Sequence, residues 1–220
     1  RGVALLLNPE TARGEIDSDV SAELLATGWD VVTADLRATG STDYPSDKIG
    51  RAPDHNTAEW ALWIGRPLLG QWVLDVVRLL DVLDESSDRT NEETAIIGVE
   101  TGGLLAICVA ALDGRIDRIA TVNSLASFVS DVPFENQRLA LMVPGILNAI
   151  GDVAHLNSLC APRRLVIGGR VGGNGKPVAA EDSSISHEWT VEAYRFEQSE
   201  KQLVVLPNGE PKQLVEALNR

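Results

Sequence analysis

The chain has 220 residues, enough for one sizeable core, and its 44% apolar and 23% charged residues are the balance of a globular domain rather than a disordered one. A formal net charge of −13 argues against nucleic acid or an anionic membrane surface as a partner. No run is long and apolar enough to span a bilayer.

The first residue is Arg1, and an apolar, strand-like run begins at once over residues 3–7. So abrupt an opening reads as a piece of a longer or processed protein, which leaves localisation illegible. It also leads to the expectation that residues 1–7, or the sheet edge beside them, meet another domain or subunit. An amphipathic helix follows over residues 16–27, stopped by Gly28, then a β-branched strand over 29–34. Residues 43–64 read as an irregular stretch carrying Pro45, Pro53 and His55, with Trp60 and Trp63 near its end. Apolar Leu69, Val73, Val76, Val77 and Leu80 predict a long helix over 66–83. Next come a polar loop (86–93), a short strand (94–98) and a helix (103–112) without a charge until Asp113, which predicts burial on several sides. The remainder reads as a strand at 118–123, an irregular region to about 151, a strand at 164–168, a helix at 186–197, a strand at 202–206 and a helix at 211–218. Wholly apolar strands alternating with helices predict a single α/β domain over 1–220, with a doubly wound, mostly parallel sheet.

Between the strand at 94–98 and its helix lies Gly98-Val99-Glu100-Thr101-Gly102-Gly103. This is the G-x-S-x-G frame of a nucleophile elbow with Glu100 in place of serine. Three further segments stand around it. Asp35-Leu36-Arg37-Ala38-Thr39-Gly40 resembles a D-x-R-G-x-G turn, with Ala38 for a glycine. Gly65-Arg66-Pro67-Leu68-Leu69-Gly70 followed by Asp75-Val76-Val77-Arg78 resembles a helix that precedes such an elbow. Ala161-Pro162-Arg163-Arg164-Leu165 resembles an A-P-R-P-L strand opening. In this order the four segments resemble the α/β-hydrolase family, in its acetyl xylan esterase and dienelactone-hydrolase-like branch, without the N-terminal antiparallel strands.

The resemblance implies a catalytic order of Ser, then Asp or Glu, then His. Glu100 holds the first place. After the strand at 164–168 the chain reads Gly169-Arg170-Val171-Gly172-Gly173-Asn174-Gly175, with no carboxylate. After the last strand it reads Pro207-Asn208-Gly209-Glu210, with no histidine. All three places are altered, which implies a catalytically degenerate domain with a binding, scaffolding or structural role. The alternative is an esterase-like hydrolase with Glu100 as nucleophile. A carboxylate can attack carbon, but the ester formed must be hydrolysed by water that a base activates. It would also repel the oxyanion that the turn should stabilise. Glu100 could instead accept N–H groups at the helix start, where the dipole favours negative charge, or bind a cationic or hydroxylated ligand.

The residues expected to line a ligand site are Asn8, Thr101, Gly102 and His55. Asn8 precedes Pro9, where the family supplies a second oxyanion donor, and proline has no N–H to give. His55 falls at the C-terminal edge of the sheet, where open α/β folds bind ligands; a solvated loop histidine is the plainer reading. His155 and His187 read as structural or exposed. No histidine spacing suits a metal and no cofactor motif is present, so no metal and no cofactor are expected. The Gly-rich run 172–175 lacks the Lys-Ser/Thr and helix start of a phosphate cradle. Cys108 and Cys160 read as free thiols, and Trp60, Trp63 and Trp72 as core or interface residues.

Overall fold

The computed structural model describes residues 1–10, 18–44, 46–86, 92–135, 137–178 and 183–220. Its elements in chain order are β1 (Gly2–Leu7), α1 (Ser18–Ala26), β2 (Trp29–Thr33), α2 (His55–Trp63), α3 (Leu68–Ser86), β3 (Glu93–Val99), α4 (Thr101–Leu112), β4 (Arg118–Leu125), α5 (Ile146–Ala149), α6 (Val153–Ser158), β5 (Arg164–Val171), α7 (Ser183–Phe196), β6 (Leu203–Leu206) and α8 (Pro211–Leu218). The strands form one sheet in the order β2-β1-β3-β4-β5-β6, every pairing parallel.

Both faces of the sheet are covered, so its central strands are apolar along their length. Alternate residues of β1 enter different cores. Val3, Leu5 and Leu7 pack with Trp72, Val76, Leu104 and Leu105, while Ala4 and Leu6 pack with Val20, Leu24, Leu214 and Leu218. The first core lies under α2, α3, α6 and α7, and the second under α1 and α8. α4 is buried along most of its length, from Thr101 to Ala110, as its unbroken apolar composition requires.

Three expectations need correction. Residues 1–7 are not themselves an edge, since β1 pairs with β2 on one side and β3 on the other; the neighbouring edge, where a partner was equally expected, is β2. The edges are β2 and β6. Within the stretch expected to be irregular stands the helix α2, opening at His55. Its buried residues are Ala58 and Ala61, while Trp60 and Trp63 are 53% and 73% exposed. Large residues outside and small ones inside invert the pattern by which an amphipathic helix is read. Trp72 alone of the three tryptophans is core; its Nε1 donates to Arg37 O at 2.8 Å. Third, β4 and β5 run on to Leu125 and Val171 past a shared distortion, where Asn123 and Gly169 both take positive φ, 50° and 67°. The start of the helix expected at 16–27 and the loop at 86–93 lie partly outside the described residues.

Candidate active-site cleft

β3 delivers the chain to Glu100 at the C-terminal edge of the sheet, and α4 leaves from Thr101. Glu100 has φ 52° and ψ −117°, a conformation that non-glycine residues rarely adopt. Two backbone bonds hold it: Glu100 N donates to Val122 O of β4 at 2.7 Å, and Gly103 N donates to Glu100 O at 3.0 Å. The turn also needs close approach of backbone to backbone. A Cβ on Gly98 would stand 2.0 Å from Gly102 O, and one on Gly102 would stand 2.1 Å from Leu7 O. The elbow glycines are therefore packing requirements of a strand–turn–helix. Gly102 serves that packing. Ala38 also takes positive φ, 56°, where the resembled turn has its glycine.

Opposite the elbow lies the loop that follows β1. Asn8 shapes it: its Oδ1 accepts from Glu10 N at 3.1 Å. The Glu10 carboxylate accepts from Thr101 Oγ1 at 2.8 Å and from Arg138 Nε at 2.9 Å. Arg138 also donates from Nη2 to Pro9 O at 2.6 Å, and its side chain is only 10% exposed. A carboxylate locked to the hydroxyl of Thr101 thus stands beside the turn where an esterase gathers N–H donors for an oxyanion. Glu10, Glu100, Thr101, Asn123 and Gln137 border a cavity of about 340 Å³. Leu125 and Gln137 border it too, and also line a larger, apolar cavity of about 620 Å³ under the loop that follows β4.

The resemblance puts an acid after β5 and a base after β6. After β5 the chain folds into a tight turn, with Gly172 N donating to Lys176 O and Gly175 N to Gly172 O, each at 2.9 Å. After β6, the Glu210 carboxylate caps α8, accepting from Lys212 N at 3.3 Å and Gln213 N at 2.9 Å. A Cβ on Gly209 would lie 2.5 Å from Val122 Cγ1 and 3.0 Å from Gly168 O, so any larger residue there requires the Val122 side chain to shift.

None of the three histidines borders the Glu100 cavity. His55 opens α2 with Nδ1 3.9 Å from Glu59 Oε2, and it lines neither of the two cavities. His155 accepts from Asp152 N at 3.1 Å and packs on Trp189. His187 is 6% exposed, and burial together with the Arg170 charge pushes its pKa down to about 4. Burial pushes both free thiols, Cys108 and Cys160, up to about 12, which leaves them unreactive at neutral pH. Among the described residues, no group of three His, Cys, Asp or Glu side chains could hold a metal. Sequence reasoning placed Glu100 and Thr101 at the cleft. It missed Glu10, Arg138 and Asn123, although Glu10 stood two residues past Asn8 in the same loop.

No protein-family model matches this chain, and no curated protein matches it either. Solved structures do. A putative acetyl xylan esterase from Bacteroides fragilis superposes with TM-score 0.69 at 12% identity, over 93% of this chain and 57% of that one. A carbohydrate esterase family 15 glucuronoyl esterase from Caldicellulosiruptor kristjansonii gives 0.64 at 18% identity, over 99% and 67%. The protein TT1662 from Thermus thermophilus gives 0.64 at 15% identity, over 100% and 88%. This chain thus spans little more than half the length of the first of these. At such identities the likeness is one of architecture, and together with the strand order and the elbow it establishes that the chain has the α/β-hydrolase fold.

Proposed function

We propose that this domain is a catalytically degenerate member of the esterase-like α/β-hydrolase architecture, and that its cleft binds a ligand without turning it over. The observation that carries the reading is the use made of the three catalytic places. Glu100 stands at the nucleophile place, the acid place is a tight glycine turn, and Gly209 packs on Val122 and Gly168 at the base place. Glu10, paired with Arg138, takes up the Thr101 hydroxyl beside the turn where charge would develop during acyl transfer. A second reading has one observation in its favour. The strained elbow geometry is kept at Glu100, and an elbow presents its side chain to a reacting carbon. That reading needs a base to discharge the covalent ester, and no histidine borders the cavity.

The test is turnover of acetyl, methyl and glucuronoyl esters, the bonds that the names of the structural neighbours suggest, by the native protein and by Glu100→Gln. No hydrolysis above buffer is expected from either. Gly209→His combined with Glu100→Ser is expected to remain inactive, because the histidine must displace the Val122 side chain and finds no carboxylate in the turn 169–175 to orient it. General-base help alone is worth about 10²–10⁴ in rate. Native hydrolysis that Glu100→Gln abolishes, in a protein with an unchanged circular dichroism spectrum, overturns the reading and makes Glu100 catalytic.

A further inference from the structure

Between β4, α6 and α7 lies a small cavity bordered by polar side chains that the fold itself does not match. Ser124 of β4, Asn157 of α6 and His187 of α7 all face it, and they are 3%, 3% and 6% exposed. Ser124 Oγ, Asn157 Oδ1 and both ring nitrogens of His187 have no hydrogen-bond partner among the described residues. Other buried polar groups of α7 are matched: Thr190 Oγ1 donates to Ala154 O at 3.0 Å, and Tyr194 Oη donates to Arg163 O at 2.8 Å. A buried polar atom without a partner is rare, because it forfeits its bonds to water and gains nothing in exchange. Here three residues from three elements bring such atoms to one place, which points to a partner they share.

The space and the chemistry narrow that partner down. About 10 Å³ is open to the centre of a water-sized sphere, the threshold for one water molecule and too little for an organic group. Asn157 Oδ1 only accepts, Ser124 Oγ donates or accepts, and a neutral imidazole offers one donor and one acceptor. His187 is neutral at pH 7, since burial and the Arg170 charge push its pKa down to about 4. A halide only accepts, so it would meet Asn157 Oδ1 with the wrong sign. A small cation would sit in the field of the Arg170 guanidinium, which borders the same cavity. Water both donates and accepts, and it suits Asn157 in either orientation of the amide.

We propose that one water molecule is an integral part of this fold, bridging Ser124 Oγ, Asn157 Oδ1 and one ring nitrogen of His187, and so fastening α7 to β4 and α6. An imidazole points its two nitrogens in different directions, so one water serves one of them. The attachments of α7 then fall at residues 187, 190 and 194, the spacing i, i+3, i+7 that lies along one face of a helix. The water closes the first of these three. This site stands whatever the cleft beside Glu100 binds.

The experiment is oxygen-17 relaxation dispersion of water at pH 7, which counts long-lived internal waters, on the native protein, Asn157→Leu, His187→Phe and the double variant. Each variant is expected to hold one long-lived water fewer than the native protein. Ser124→Ala removes one partner without filling the space, and should keep the water with a residence time about fivefold shorter. Asn157→Leu and His187→Phe each strand the partners that remain, so each should lower the urea midpoint. The double variant should lose less than the two losses added, because side chains with no direct hydrogen bond are coupled through the water they share. It also has the more apolar cavity, so it carries the test if a single variant fails to fold. An unchanged water count in the double variant overturns the proposal. Strictly additive losses overturn it too, since they leave Asn157 and His187 without a common partner. So does a native crystal structure with a His187 nitrogen within about 3.2 Å of Ser124 Oγ or Asn157 Oδ1, because the groups then satisfy one another.

Discussion

Glu100 shows how a single residue can keep a strained conformation. Positive φ in a non-glycine residue costs on the order of 1–3 kcal/mol, and it persists only where neighbours leave no alternative. Here they are the bond to Val122 O and the backbone approach of Gly98 and Gly102. His187 is a different kind of constrained residue. It is buried beside Ser124 and Asn157, and neither of its ring nitrogens has a hydrogen-bond partner among the described residues. Burial, reinforced by the Arg170 charge, lowers its pKa from 6.5 to about 4. It is therefore neutral in the fold and protonated in the unfolded chain between those two values, so the unfolded state binds more protons there. Stability tied to this residue is complete above about pH 6.5 and is lost as pH falls through about 4. Urea unfolding across that window should show the native protein losing up to about 3 kcal/mol more than His187→Phe. Equal slopes for the two proteins would show that His187 is not the group responsible.

At the scale of elements, α2 is held from its start as much as by its own face. Asp54, fully buried just before the helix, accepts from Leu139 N and Ala140 N, both at 2.9 Å. That contact fastens α2 to the 3₁₀ turn Leu139–Leu141, the wall of the apolar cavity. Burial raises the pKa of Asp54 even against these two donors and the Arg138 charge. Asp54→Ala leaves both N–H groups without an acceptor and should cost about 2–4 kcal/mol in urea unfolding, with Asp54→Asn losing less because one acceptor oxygen remains. A loss below about 1 kcal/mol for the alanine variant would mean that the turn is held by other contacts. Elements of this kind are hard to read in a sequence. The strands were legible because burial on both faces makes them continuous apolar runs. α2 was not, because it buries alanines and exposes tryptophans.

For the whole molecule, the order β2-β1-β3-β4-β5-β6 puts the first strand inside the sheet and leaves the second and the last at its edges. Val31 and Val32 of β2 are half-buried, and the four residues of β6 are half-buried or exposed. Amide hydrogen exchange should follow this order. Slowest exchange is expected in β1, β3 and β4, and markedly faster exchange in β2 and β6, because opening an edge strand exposes far less apolar surface. Slow exchange in β2 equal to that in β3 would indicate that its free edge is covered in solution. That result would support the expectation of a partner domain or subunit at the edge beside β1.

The sequence by itself determined the alternation of strands and helices, the parallel sheet and the frame of the elbow. These follow from local patterns: apolar runs of strand length, helical spacing, and glycines where backbones must touch. The resemblance that the sequence carries also led to the reading that serine, acid and histidine are replaced, since that resemblance puts each place at a set distance from a strand. Only the tertiary structure decided what fills those places. The Arg138 guanidinium reaches Glu10 across 128 residues, and Gly209 packs against Val122 from another strand. Neither pairing leaves a trace in local periodicity. The apolar cavity was illegible for the same reason: its lining comes from a loop without repeat or motif, and only the folded sheet beneath turns those side chains toward one space.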